Sequence, residues 1–166
     1  VAALVMTPLR GAASSAAAAG LTLPPTRKAA HLFGADQVGF AELDRRWMYS
    51  RYFDSDTKKD YPIKFSDEPG YEQYNHPIRL EDGTRVIPKE MTNVVVLLHE
   101  WGKDVDGTDH APTLLTEGLS TLAYARMAPT LWMLAEFIRR LGHNAIPAAN
   151  DTALSIPLAV DAASAR

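Results

Sequence analysis

Residues 93–99 read NVVVLLH, and Val94, Val95, Val96, Leu97 and Leu98 form an uninterrupted apolar run. A run of this length and branching suits a strand covered on both faces in a parallel sheet. Working outward, residues 113–141 have the pattern of a long helix, and residues 143–148 (HNAIPA) that of a second strand. Asn150, Asp151 and Thr152 then precede an apolar stretch at 154–160 that opens another helix. A helical crossover of this length can return the chain beside its first strand, and such crossovers are nearly always right-handed. The pattern predicts a βαβ unit within an α/β domain whose sheet is parallel-rich and covered by helices.

The long helix has a legible face. Met127, Leu131, Leu134, Ile138 and Leu141 recur at alternating spacings of four and three, which makes one buried stripe. Extended toward the N-terminus, the stripe passes through Tyr124 and Ser120, so Tyr124 is expected to face the interior or a pocket and not open water. Gly142 supplies a left-handed stop. Arg139 and Arg140 suit the negative end of the helix dipole, and Glu136 can pair with Arg140. Pro129 removes one backbone bond just past Tyr124 and predicts a kink. Gly118 is expected to mark close helix packing.

Composition excludes several function classes. At 166 residues the chain has the size of one domain. Its formal charge of -3, with no basic block, argues against a nucleic-acid partner. It contains no cysteine, so it offers no disulfide, no thiolate metal site and no ligand for an iron–sulfur cluster. No stretch approaches the roughly twenty continuous apolar residues of a membrane span.

Residues 1–24 are an alanine-rich N-terminal segment. Over residues 2–19 it reads either as a short helix interrupted by Pro8 and Gly11 or as the tail of an export leader. Residues 25–33 suggest a short helix stopped by Gly34, and residues 37–43 (QVGFAEL) a strand. Asp44 can cap a helical turn carrying Arg45, Arg46, Trp47 and Met48. Residues 49–90 are polar, hold four prolines and have aromatics without a period, as in an extended surface excursion. Within them Asp82-Gly83 predicts one hairpin, with strands at 78–80 and 84–87. Long irregular segments of this kind often line a site. So does a loop leaving the carboxyl end of a parallel strand, here residues 101–112.

Most chemical motifs are weak. His99-Glu100 followed by His110 lacks the spacing of a metalloprotease helix. Asp104, Asp106, Gly107 and Asp109 suggest a calcium loop but lack its closing glutamate, and a solvated acidic loop explains them as well. No Gly-rich phosphate loop and no serine elbow occurs, and no metal-ligand set is expected. Tyr124 and Asn150 are the pair to weigh. A site at the carboxyl edge of the sheet could use both, whereas a half-buried tyrosine bonded to backbone and a helix-start cluster at 150–152 would account for them without function.

Several phrases together carry a resemblance: residues 31–39 (HLFGADQVG), 46–50 (RWMYS), 124–128 (YARMA), 134–139 (LAEFIR), and 145–147 (AIP) running into 150–157 (NDTALSIP). Spanning roughly residues 28–161 in the family's order, they resemble the corrinoid- and iron–sulfur-dependent reductive dehalogenases. The resemblance implies a base-off cobamide in an α/β domain related to the nitroreductase fold, partial here over residues 25–166. It also implies two [4Fe-4S] clusters in a C-terminal segment that this chain lacks. Tyr124 resembles the family's proton donor and Asn150 the amide beside it. Ser120 and Trp47 would line the substrate pocket, and Asp151, Thr152 and Ser155 would face the cofactor, with the following helix's free N–H groups turned toward an oxygen. A phenol with an ordinary pKa of about 10 suits protonation of a strongly basic carbanion at neutral pH.

The same resemblance implies a small organohalide substrate, a separate electron donor and a small membrane-anchor protein as partners. It implies a location on the periplasmic face of the cytoplasmic membrane, although no twin-arginine leader is visible. Chlorinated ethenes, chlorinated ethanes and halogenated phenols are all compatible substrates. Two alternatives stand beside it: an epoxyqueuosine-reductase-like cobamide enzyme, whose family has an acidic residue where this chain has Tyr124, and a non-catalytic cobamide-binding remnant. Ala163 stands where the family usually has glycine, and the helper arginine and cysteine clusters that follow in the family are not in this sequence. The 166-residue polypeptide alone is therefore expected not to dehalogenate, and turnover of an organohalide with a strong chemical reductant and added cobamide would overturn that.

Overall fold

Val94, Val95, Val96 and Leu97 are all buried, as a strand covered on both faces requires. The computed structural model describes residues 2–7, 23–100 and 114–164. The first half of the chain runs β1 (Ala2–Thr7), α1 (Leu23–Leu32), β2 (Gln37–Glu42), a 3-10 turn (Arg45–Trp47), β3 (Arg51–Asp54) and β4 (Lys59–Phe65). The second half runs β5 (Ile78–Arg79), β6 (Arg85–Ile87), β7 (Asn93–Leu98), α2 (Leu114–Arg140), β8 (Ile146–Ala148) and α3 (Ser155–Ser164).

The α/β class and the strand–helix–strand unit β7–α2–β8 are present, with one change in pairing. The sheet order is β2-β7-β1-β8. β7 and β8 each pair antiparallel with β1, so they run in the same direction but are not neighbours. β2 pairs antiparallel with β7 on the other side. The parallel-rich sheet expected from the βαβ pattern is thus an antiparallel-paired one, because β1 takes the place between the two strands. Over Ala2–Thr7 the helical expectation is corrected to a strand, in register from Ala2 opposite Leu98 to Thr7 opposite Asn93. Residues 8–22, the rest of the alanine-rich segment's span, lie outside the described residues.

Alternation along β7 divides the core in two. Val95 and Leu97 pack with Ala30, Val38 and the α2 residues Met127, Leu131, Leu134 and Ile138. Val94 and Val96 pack with Tyr52, Ile63, Phe65 and Ile87, and with Leu158 and Ala162 of α3. The central sheet therefore has α1 and α2 on one face, and α3 with a second sheet on the other.

That second sheet corrects the reading of residues 49–90 as irregular. It has the order β3-β4-β6-β5, with β4 and β6 parallel. The expected hairpin is there, as β5 paired with β6. Gly83 closes its turn with φ 90°, donating to the Leu80 carbonyl at 3.0 Å. A second hairpin, β3–β4, turns on Asp54, whose carboxylate accepts from the Thr57 backbone N–H at 2.8 Å.

The helix ends behave as the sequence predicts. Asp44 caps the 3-10 turn by accepting from the Arg46 backbone N–H at 2.9 Å. Gly142 follows α2 with φ 86°, and Arg140 Nε donates to Glu136 at 2.9 Å. α2 runs through Pro129, where Thr130 Oγ1 lies 3.0 Å from both the Phe33 and Arg126 carbonyls. Two expectations are corrected. Among the described residues nothing lies within 4 Å of a side chain built at Gly118, so none of them packs closely against it. Leu141 is 42% exposed, because the chain has already left the helix there and the stripe ends at Ile138. Leu134→Ala should therefore cost about 3 kcal/mol of stability and Leu141→Ala well under 1 kcal/mol, read as shifts of the urea midpoint.

Candidate functional site

Tyr124 lies on α2 next to the buried Ala123 and one turn before the buried Met127. The inward stripe continues through Ala123, which leaves Tyr124 about 100° round the helix from it. Its side chain is 46% exposed, so the expectation that it avoids open water is corrected. The phenol stands in the wall of an open cavity of about 550 Å³. Leu98 from the end of β7, Asn150 and the outer face of α3 form the rest of that wall.

The two residues singled out from the sequence meet there. Asn150 Nδ2 donates to Tyr124 Oη at 3.3 Å. With the amide donating to the phenol oxygen, the phenol's own hydrogen is left to point into the cavity. Ser155, the first residue of α3, lines the same space.

The remaining expected site residues are distributed differently. Asp151 and Thr152 line a separate cavity of about 440 Å³ between the second sheet and β8. Asp151 is ion-paired there with Arg85 at 2.7 Å, and Thr152 is buried. Trp47 lines neither cavity; it packs, partly buried, against the core, and its Nε1 donates to Asp161 of α3 at 3.2 Å. Ser120 is within α2, but its side chain lies outside the described residues, as do His110 and the acidic loop at 104–109. Among the described residues no group of three or more His, Cys, Asp and Glu side chains could hold a metal ion.

Beyond Ser155, the wall contributed by α3 was not foreseen. Leu158 and Ala162 are buried inward, while Ile156 and Val160, 73% and 59% exposed, point outward with Ala159 and Ala163 along the cavity. An apolar stretch that is apolar on both helical faces, as residues 154–160 are, is the signal that could have found them. A mostly apolar wall with one hydroxyl–amide pair at its edge suits an uncharged, largely apolar ligand.

Curated relatives share most of this chain. A tetrachloroethene reductive dehalogenase of Dehalobacter restrictus is 31% identical over 149 residues, which is 82% of this chain and 26% of that protein. One from Desulfitobacterium hafniense is 30% identical over 149 residues, with the same shares covered. One from Sulfurospirillum multivorans is 33% identical over 144 residues, 81% of this chain and 27% of that protein. The chain thus spans about a quarter of the length of the curated relatives it matches. No protein-family model matches it.

His99 follows Leu98 directly behind this wall and is only 2% exposed. Burial pushes its imidazole below the ordinary value of 6.5; the Asp36 carboxylate opposes that shift and the Arg126 guanidinium adds to it. Asp36 also accepts from the Glu100 backbone N–H at 2.8 Å, at the end of the same strand. Unfolded, the histidine takes up a proton near its ordinary pKa, whereas folded it resists until lower pH. Its contribution to stability is therefore present above that value and is lost as pH falls below it. Urea midpoints should drop between about pH 7.5 and about pH 5.5, and His99→Gln should flatten the drop.

Proposed function

The chain belongs to the reductive dehalogenase family, and from that premise we propose that the protein replaces halogen by hydrogen in a small organohalide at the Tyr124–Asn150 cavity. The observation that carries this reading is the 3.3 Å contact from Asn150 Nδ2 to Tyr124 Oη at the rim of a carbon-lined space. The reaction takes two electrons and one proton: the carbon–halogen bond breaks, halide leaves, and a new carbon–hydrogen bond forms. Tyr124 supplies the proton from its hydroxyl. Asn150 holds the phenol oxygen from behind, and its N–H stabilises the phenolate that remains until water returns the proton.

A cobamide is the cofactor this family reading calls for, and the apolar outer face of α3 fits one side of a broad macrocycle. Leu98, Ile156, Ala159 and Val160 would hold it by contact, with Ser155 at the polar edge. Bound there, a cobamide supplies the electrons that break the carbon–halogen bond. Iron–sulfur clusters do not fit this chain in the same way. These 166 residues include no cysteine to ligate them.

Chlorinated ethenes come first among candidate substrates. The relatives are named for tetrachloroethene, and the described cavity wall carries carbon, two hydroxyls and an amide but no charge. An uncharged apolar molecule loses little hydration on entering such a wall, whereas a halogenated phenolate would leave an unpaired charge there.

In the cobamide-loaded holoenzyme, Tyr124→Phe should lower chloride release from tetrachloroethene by about 10²- to 10⁴-fold, the usual range for loss of a positioned acid. KM should change little, because the ring and its contacts stay in place. Asn150→Ala should cost less, about tenfold, since it leaves the proton donor in place. Full activity in Tyr124→Phe would remove the phenol from the mechanism.

A further inference from the structure

Asn150 lies in a connection between β8 and α3 that has no helix or strand to fix it. Its neighbour Asp151 reaches toward the second sheet, where Arg85 Nη1 donates to Asp151 Oδ2 at 2.7 Å. Thr152 Oγ1 donates to the other carboxylate oxygen at 3.1 Å. Arg85 belongs to β6, and its guanidinium lies 3.6 Å over the centroid of the Tyr52 ring. Tyr52 is itself buried, with its hydroxyl donating to the Gly83 carbonyl at 2.7 Å. The arginine is thus held by stacking before it holds anything else. Beyond Asp151 the connection is fastened from a third direction. The Tyr49 N–H donates to the Thr152 carbonyl at 3.0 Å, and the Leu154 N–H to the Trp47 carbonyl at 2.8 Å.

We propose that Arg85 is a positioning residue for the Tyr124–Asn150 pair, acting through Asp151. It lines the other cavity and does not reach the one that holds Tyr124. Its ion pair is partly exposed, at 34% and 47% for the two side chains, so its effect on global stability is small. Its effect on geometry is larger. The amide–phenol contact is already long for a hydrogen bond, and a small rotation of the backbone at 150–151 breaks it. In this way the second sheet sets a dimension of the site while contributing no side chain to its wall. The inference deepens the proton-donor reading and rests on it.

A double-mutant cycle in the holoenzyme tests it. Arg85→Gln is expected to lower kcat for halide release about tenfold with KM nearly unchanged, as for a small misplacement away from the reacting atoms. Asp151→Asn, which removes the same charge pair from its other end, is expected to do likewise, and Arg85→Lys to restore most of the rate. In an Asn150→Ala background, Arg85→Gln is expected to have no further effect. A second readout needs no turnover. The side-chain amide signals of Asn150, identified by their disappearance in Asn150→Ala, should shift in Arg85→Gln and return toward their places in Arg85→Lys. Additive losses in the double variant, or Asn150 signals that Arg85→Gln leaves unmoved, overturn the positioning role. Full activity in Tyr124→Phe sinks the proton-donor reading itself. Loss in Tyr124→Phe with additive losses at Arg85 and Asn150 sinks only the role of Arg85.

Discussion

Val94 and Val96 point to one side of β7 and Val95 and Leu97 to the other, and both sides are buried. This two-sided burial organises everything else. One side demands a helix with a long apolar stripe, which α2 supplies through Met127, Leu131, Leu134 and Ile138. The other demands a cover that α3 provides only in part, and β3, β4 and β6 complete it with Tyr52, Ile63, Phe65 and Ile87. At the carboxyl end of β7, beside Leu98, α2 and α3 come from opposite faces of the sheet and leave a cavity between them. Among the described residues, the site is where these two coverings part at the end of the strand.

Parts of this were legible because local signals agreed. The apolar run at 93–98, the stripe and C-terminal glycine of α2, the Asp44 cap and the Asp82-Gly83 turn are each decided by residues close in sequence, and each is present. β1 was not legible. Ala2–Thr7 opens a segment, residues 1–24, that is rich in alanine, whose intrinsic preference is helical, and its strand state depends on partners at 93–98 and 146–148. The second sheet was hidden for a related reason. Its strands are short, partly exposed and interrupted by Pro62, so no period of two rises above the polar background.

The site divides along the same line. Tyr124 and Asn150 stood out from the sequence, and they meet at 3.3 Å. The exposure of Tyr124 did not follow from the stripe, because one position of helical phase separates a buried alanine from a half-exposed tyrosine. Asp151 and Thr152 were grouped with Asn150 because they adjoin it in sequence. The chain bends at residues 149–152, so Asn150 turns to the Tyr124 cavity while Asp151 and Thr152 turn to the second sheet. What Asp151 does there depends on an arginine 66 residues earlier, a pairing that no spacing rule reveals.

The place of β1 between β7 and β8 also constrains how the chain reaches its final form. β1 is hydrogen-bonded on both edges, to residues 93–98 and to residues 146–148, all of which are made long after it. It cannot be seated on both edges until residues 146–148 have been made. Closing loops of that length before any sheet contact rewards them is slow, and topologies with such distant pairings fold slowly as a class. During synthesis the valine-rich β7 therefore emerges after both of its neighbours, β1 and β2, and the edge that stays open longest is the far side of β1, which waits for residues 146–148.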